Sequence, residues 1–396
     1  MDALTREVCD WLTGQRAAMT ECLKTLVNID SNSHDKAGND AVADTITGWL
    51  EADGIAIKRH VRPESGNILE ARVEGAPGEH VLLMGHRDTV FPTGTVARRG
   101  YRQQGELAFG PGVADMKAGL VLNCFVLRAL KRLPNLPFSV CALFTADEEI
   151  GSPDGRAFIQ AAAKGARAVF NAEPGRISGN VVTARKGGAG FLIEVTGKAA
   201  HSGVSHGDGA SAIEALARKI VKLHALTDYA EGVTANVGVI EGGVSRNTVA
   251  PSAMAQLDVR FVTNPQRERL FAAIEEIVNE VEVPGTSARL TQSSGFLPME
   301  EAMSRELFGR YRRQAERLGF AVEGEFTGGC SDAGFTASLG VATLCGTGPV
   351  GGKMHTDEEF CQLDTLVPRA QALAATLLEL GEAPRPFEEN RDHAVS

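Results

Sequence analysis

The sequence predicts an α/β fold in which one α/β domain is interrupted by a smaller α+β unit. Three observations lead there. In the first half, short apolar runs alternate with helical patterns, the sign of a sheet covered by helices. From about Gly188 the rhythm changes to strand, helix, strand, strand, helix, strand. Beyond residue 299 the α/β alternation resumes. A length of 396 residues suits two domains and leaves ample material for a large core.

Taken in order, the runs at 80–85, 138–145, 166–171 and 341–346 are apolar nearly throughout and read as buried strands. Residues 115–133, between the first two, are apolar enough for a helix packed on the sheet. In the middle of the chain, 191–196 reads as a strand, 211–226 as a helix, and 234–240 and 255–262 as strands. Residues 265–281 are then a helix and 288–292 a strand. This βαββαβ order suits a ferredoxin-like unit. A long helix at 300–318 returns the chain to the first domain. The predicted boundaries are therefore 1–186, 187–298 for the insert, and 299–396. The polar, proline-containing tail from Glu382 reads as frayed.

With 43% apolar and 23% charged residues the chain is an ordinary globular protein. A formal net charge of −10 argues against a nucleic-acid surface, which needs clustered Lys and Arg. The N-terminus shows no basic segment followed by an apolar run, and no window approaches the ~20 apolar residues of a membrane span. Neither a signal peptide nor a membrane partner is expected. Cys9, Cys22, Cys124, Cys141, Cys330, Cys345 and Cys361 are odd in number and scattered, as in a cytoplasmic protein with reduced thiols.

Four short segments carry polar clusters: Gly85-His86-Arg87-Asp88-Thr89, Gly112-Val113-Ala114-Asp115-Met116-Lys117, Thr145-Ala146-Asp147-Glu148-Glu149-Ile150-Gly151 and Asn171-Ala172-Glu173-Pro174. A fifth, Lys353-Met354-His355-Thr356-Asp357, comes late. Singly, each has an ordinary explanation, such as a surface turn or a solvated helix start. Together, four of them directly follow apolar runs, and loops leaving the carboxyl ends of sheet strands converge at one edge. Two His and several carboxylates without Cys suit zinc, manganese or cobalt. Adjacent carboxylates beyond a buried strand repel one another unless cations neutralise them. Two dications ~3.5–4 Å apart need a bridging ligand and share a water whose pKa they lower. A nearby unligated carboxylate can take that water's proton.

These segments resemble the glutamate carboxypeptidase, acetylornithine deacetylase and aminoacylase family of cocatalytic metallohydrolases. The pattern HxD…GxxDxK…EExG…EP…H matches in order, spacing and flanks from about residue 15 to 380. The resemblance implies a mixed-sheet catalytic domain of the zinc-dependent exopeptidase type with an inserted ferredoxin-like lid and dimerisation domain. It implies two divalent ions per subunit, zinc first, with manganese or cobalt as alternatives. Asp115 would bridge them, with His86 and Glu173 on one ion and Glu149 and His355 on the other. Glu148 would be general base and acid, and Asp88 would orient the imidazole of His86. A cis peptide is implied at Asp115–Met116. In the insert, Ala200-His201-Ser202-Gly203 resembles the lid histidine that reaches a neighbouring subunit's site, which implies a homodimer. Arg246-Asn247-Thr248-Val249-Ala250-Pro251 resembles the segment whose Asn helps to bind substrate, and Leu257-Asp258-Val259-Arg260 the strand after it. Gly328-Gly329-Cys330-Ser331-Asp332 resembles a glycine turn whose N–H groups face the substrate carboxylate.

The chain departs from the pattern in two places. His206-Gly207 stands where many relatives have Pro-Glu. Thr291-Gln292-Ser293-Ser294-Gly295-Phe296 lacks the Arg that holds the substrate's α-carboxylate in glutamate carboxypeptidases, and Arg289 is the nearest substitute. The sequence thus predicts a two-metal hydrolase that cleaves an amide C–N bond in a small carboxylate-bearing molecule. The alternative is removal of an amino group from a non-peptide substrate such as an activated aromatic acid, releasing ammonia. An inactive binding protein on this fold would have lost the base or a ligand, and all are present.

Overall fold

A computed structural model describes residues 2–381; the tail from Glu382 lies outside them. The chain divides into two compact units. One comprises the residues up to Ala184, Glu301–Thr327 and Ser331 onward; the other comprises Arg185–Glu300 and Gly328–Cys330.

The first unit is built on an eight-stranded mixed sheet. Its order is Ala56–His60, Ile68–Val73, Ser139–Thr145, His80–His86, Ala166–Asn171, Thr343–Cys345, Val181–Arg185, Gly324–Thr327. The four strands from Ser139–Thr145 to Thr343–Cys345 run parallel, so their carboxyl ends share one edge. Ser139–Thr145 is buried at every position, which is why it reads as an apolar run between its terminal Ser and Thr. The helix Ala118–Lys131 is buried at 12 of its 14 positions against this sheet and the surrounding helices. It starts three residues later than the sequence suggests. Residues Val113–Lys117 form a wide turn instead, with Gly112 at φ 69° and Asp115 at φ −108°, ψ 92°. Asp115–Met116 is cis.

A second, four-stranded sheet has the order Gly351–Gly352, Phe360–Gln362, Leu107–Phe109, Arg102–Gln104. It pairs Phe109 with Phe360 and so ties the segment before Asp115 to the segment after His355.

In the second unit the antiparallel sheet runs Thr234–Gly242, Ser252–Phe261, Gly187–Thr196, Ser287–Phe296. Numbered along the chain the strand order is two, three, one, four, with helices Ala212–His224 and Asn264–Asn279 between strands: the ferredoxin-like arrangement. Alternation explains the core. Ala189, Phe191, Ile193 and Val195 of one strand and Ala253, Ala255, Leu257 and Val259 of the next point inward, against Leu216, Leu223, Leu270 and Ile274 of the helices. Asn264–Asn279 begins with a complete capping box, Thr263 to Gln266 and back. The strand Gly187–Thr196 begins four residues before its apolar run, since Gly187, Gly188 and Gly190 carry no apolar signal.

Candidate metal centre

The parallel strands deliver most of the site. His86 ends its strand directly opposite Thr145, and the segment Asp147-Glu148-Glu149 follows at once. Asn171, which ends the next strand, precedes Glu173 by two residues and pairs with Cys345, from which the chain leads to His355. Asp115 comes from the wide turn instead.

The donor atoms meet around Asp115. His86 Nε2 lies 3.2 Å from Asp115 Oδ1 and 3.8 Å from Glu173 Oε1. On the other side, His355 Nε2 lies 3.4 Å from Asp115 Oδ2 and 3.2 Å from Glu149 Oε2. The two oxygens of Asp115 therefore face two separate His–carboxylate pairs. One ligand atom each from His86, Asp115 and Glu149 fall within 4.8 Å of one another. Among the described residues, Asp115 and Glu149 form ion pairs with these histidines alone.

Asp88 is fully buried and performs several tasks. His86 Nδ1 has its nearer contact, 3.0 Å, with the Asp88 backbone carbonyl and a longer one, 3.3 Å, with the carboxylate. The carboxylate also accepts from Ser33 Oγ (2.7 Å) and from the N–H groups of Glu148 and Glu149 (3.2 and 3.1 Å). Asp88 thus fixes both an imidazole and the backbone that presents the two glutamates. Asp147, read from sequence as part of the acidic cluster, turns aside to accept the N–H groups of Asp154 and Gly155 (2.7 and 2.9 Å).

The charges follow from burial. Burial raises the Glu148 carboxyl well above the usual carboxylate range; His86 opposes this, and Glu173, Asp332 and Glu149 add to it. Burial works against charge on His86, yet hydrogen bonds to Asp115 and Asp88 hold it well above an ordinary histidine. His355 is pushed up to about 10 by its hydrogen bonds to Asp115 and Glu149. The cluster holds more carboxylates than histidines can neutralise. Its donor set is O and N without sulfur, arranged on both sides of one carboxylate, and so it fits two divalent cations.

Two buried carboxylates escape the sequence reading as contributors. Glu359, 0% exposed, accepts the N–H groups of Gly112, Ala114 and Asp115 at 3.3, 2.9 and 3.0 Å and so holds the turn that presents Asp115. Asp332, buried near Glu148, is raised to about 7 chiefly by burial, and it accepts a hydrogen bond from Ser152. Glu359 does not stand out in the sequence, because its partners are distant backbone groups, and Asp332 is marked there only as the end of the glycine turn.

The second unit holds the remaining candidates in separate places. His201 bridges Thr248, and Ser202 N–H donates to the Asn247 carbonyl (3.0 Å), so the His201 and Asn247 loops are joined. His201 Nδ1 accepts from the N–H of Gly203 (3.1 Å), which leaves Nε2–H as the donor of the exposed ring. The Asn247 side chain accepts from Ser245 Oγ. Arg260 clasps Asp258 with two bonds of 2.9 Å and reaches Cys330 Sγ at 2.8 Å, while Arg185 donates to the carbonyls of Gly329 and Cys330. Gly188 leaves space for this, since a Cβ there would lie 2.8 Å from Arg260. Arg289 is not brought to either group. It pairs with Glu194 (3.0 Å) on an exposed part of the sheet, six positions along the strand from Gly188, or roughly 20 Å.

Known proteins resemble the chain in sequence and in fold. The chain is 27% identical to carboxypeptidase G2 of Pseudomonas sp. strain RS-16 over 379 residues, covering 93% of this chain and 91% of that one. It is 30% identical to the acetylornithine deacetylase of Myxococcus xanthus over 291 residues, 69% and 73% of the two chains. In three dimensions it resembles a dinuclear metal-binding peptidase of Bacillus subtilis, with a TM-score of 0.68 at 16% identity, over 94% of this chain and 99% of that one. Residues 82–379 match the model of peptidase family M20/M25/M40. The chain therefore belongs to peptidase family M20/M25/M40 and is a metal-dependent hydrolase acting on C–N bonds.

Proposed function

We propose that the protein releases an amino acid from a small N-acyl amino acid or short peptide, with Asp115 bridging two divalent ions. The observation that carries this is the two-sided environment of Asp115. His86 and Glu173 would complete one ion's ligands, and Glu149 and His355 the other's. Zinc suits these donors best, with manganese and cobalt as alternatives. When bound, such ions lower the pKa of a water and polarise the scissile carbonyl.

The protein's own groups do the rest. Glu148 is held by Asp88 through its backbone N–H, and its burial makes its carboxylate a stronger base than an exposed one. It takes the proton of the attacking water and passes it to the leaving nitrogen. His201 presents Nε2–H, the donor that a developing oxyanion requires. Asn247, Arg260 and the Gly329 turn are candidates for holding substrate. Arg289 is a weaker one, because Glu194 already occupies its guanidinium.

We further propose a homodimer formed through the insert. Its edge strand Thr234–Gly242 exposes Val239 and Ile240, and the adjoining helix Ala212–His224 exposes Ile213 and Val221. An unpaired edge beside exposed apolar side chains favours covering by a second copy. All seven cysteines are free thiols, which supports a cytoplasmic location. No helix among the described residues is long and apolar enough to cross a membrane.

The test is a panel of N-acyl amino acids, dipeptides and amino-substituted aromatic acids, offered to the metal-reconstituted enzyme and scored separately for free amino acid and for ammonia. Amino acid release supports the proposal. Turnover of the aromatic acids alone, with ammonia as product, would overturn it.

A further inference from the structure

The loops leaving the strands Ala166–Asn171 and Thr343–Cys345 run side by side beyond the metal centre. Gly348 N–H donates to the Glu173 carbonyl (3.0 Å), Gly175 N–H to Pro349 (2.9 Å) and Gly351 N–H to Gly175 (3.1 Å). A cavity of about 320 Å³ continues this ribbon, lined by Arg176, Ile177, Ser178, Glu325, Lys353 and Met354. Covalent geometry keeps it close to the donors. Arg176 lies three residues past Glu173, roughly 10 Å along an extended chain, and Met354 directly precedes His355.

The walls differ in chemistry. Ile177 lies over Gly352, where a Cβ would come 2.7 Å from it, and Met354 extends this apolar side. The other side carries two cations, Lys353 and Arg176, whose commitments are unequal. Lys353 Nζ is tied to Glu358 at 2.5 Å. Arg369, buried beneath the ribbon, spends its guanidinium on the carbonyls of Gly346, Gly348, Gly179 and Asn180. Among the described residues, Arg176 makes one side-chain polar contact, from Nε to Glu325 Oε2, at a long 3.3 Å. Glu325 is meanwhile satisfied by Ser178 and by Asn180 (2.9 Å). Arg176 thus brings two uncommitted Nη groups to a cavity with an apolar wall. Two parallel N–H donors match a carboxylate better than any other small anionic group of a peptide-like substrate.

We propose that this cavity is a substrate subsite for a carboxylate borne on a short apolar arm, with the Nη groups of Arg176 as its paired donors. The inference rests on the amide-hydrolase reading of the adjoining centre. The carboxylate can come from the departing amino acid or from the acyl arm, and the two sources are separable.

The wild type, Arg176→Gln and Arg176→Lys are assayed as metal-loaded enzymes on two substrate pairs. N-benzoylglycine against N-benzoylglycinamide varies the charge on the departing side. N-succinylphenylalanine against N-butanoylphenylalanine varies it on the acyl side. Arg176→Gln is expected to raise KM for the charged member of one pair by roughly 10- to 100-fold, with kcat little changed. The neutral member should be unaffected, and Arg176→Lys should recover part of the loss. The affected pair identifies the source. Equal loss on charged and neutral members, or no loss on either pair, overturns the proposal. If the wild type cleaves neither pair, the reading of the centre is at fault, and calorimetric titration with succinate tests the subsite alone. Succinate binding that Arg176→Gln abolishes supports the subsite; equal binding by wild type and variant, or binding by neither, overturns it.

Discussion

Replacing Glu359 should loosen the metal centre without touching a ligand. Its Oε1 serves the N–H groups of Ala114 and Asp115, and its Oε2 serves Gly112. Glu359→Gln keeps one oxygen for the first two, but sets an NH₂ against the N–H of Gly112. Orphaning one buried donor costs about 1–3 kcal/mol. Glu359→Ala orphans all three, about 3–9 kcal/mol before any water enters the space. Part of this should appear as metal affinity, because the turn carries Asp115 and loss of such outer contacts typically costs ~10–100-fold. The assay is thermal unfolding of the metal-free protein together with chelator competition on the loaded one. Wild type should exceed Glu359→Gln, and Glu359→Gln should exceed Glu359→Ala, in both. A Glu359→Ala protein with the wild-type competition curve and the wild-type melting temperature would refute the reasoning.

Other perturbations have equally definite outcomes. Glu148→Gln cannot accept the water's proton, so kcat should fall by roughly 10²–10⁴ while elemental analysis still finds both ions; near-wild-type turnover would exclude Glu148 as the base. His355→Ala should lose one ion of the two, and an unchanged metal content would remove His355 from the ligand set. Chelation should abolish turnover and lower the melting temperature, since ligands from five segments are then left unbridged; zinc, manganese or cobalt should restore both. His201→Ala should lose roughly 10²–10³ in kcat with metals retained. Mixing it with Glu148→Gln protomers should restore part of the activity if His201 acts across the dimer. No recovery, once exchange of tagged protomers is confirmed, would show that it does not.

How legible each part was depends on what kind of contact defines it. Strands His80–His86, Ser139–Thr145 and Ala166–Asn171 read clearly because burial on both faces demands an apolar run. Ala56–His60, an edge strand exposed along most of its length, has no such demand and left no signal. Gly351–Gly352 and Phe360–Gln362 are too short for any period to show. The insert read well because its strands alternate and its helices are amphipathic. Its strand Ser287–Phe296 runs past the apolar part into Ser293 and Ser294, where the pairing slips. In the site, the ligand candidates were visible as His and carboxylates clustered after strands. Glu359 was not, because it serves backbone donors 244 to 247 residues away, and a sequence displays no backbone. The turning aside of Asp147 was hidden for the same reason.

The insert enters and leaves the chain at one rung. Arg185 and Met299 exchange backbone hydrogen bonds of 2.9 and 3.1 Å, and Ser304 Oγ reaches back to the Thr183 carbonyl at 2.7 Å. The two crossings are thus an antiparallel pair, about 5.5 Å apart at Cα, a gap that a two-residue hairpin turn closes. Topologically, everything between them is a cassette. It can be cut out and replaced by a turn without stretching the strand before it or the helix after it, and its own core is complete. Evolution and the protein engineer face the same geometry: the insert can be lengthened, exchanged or redesigned between these two crossings while the parallel strands that carry most of the candidate metal donors keep their register.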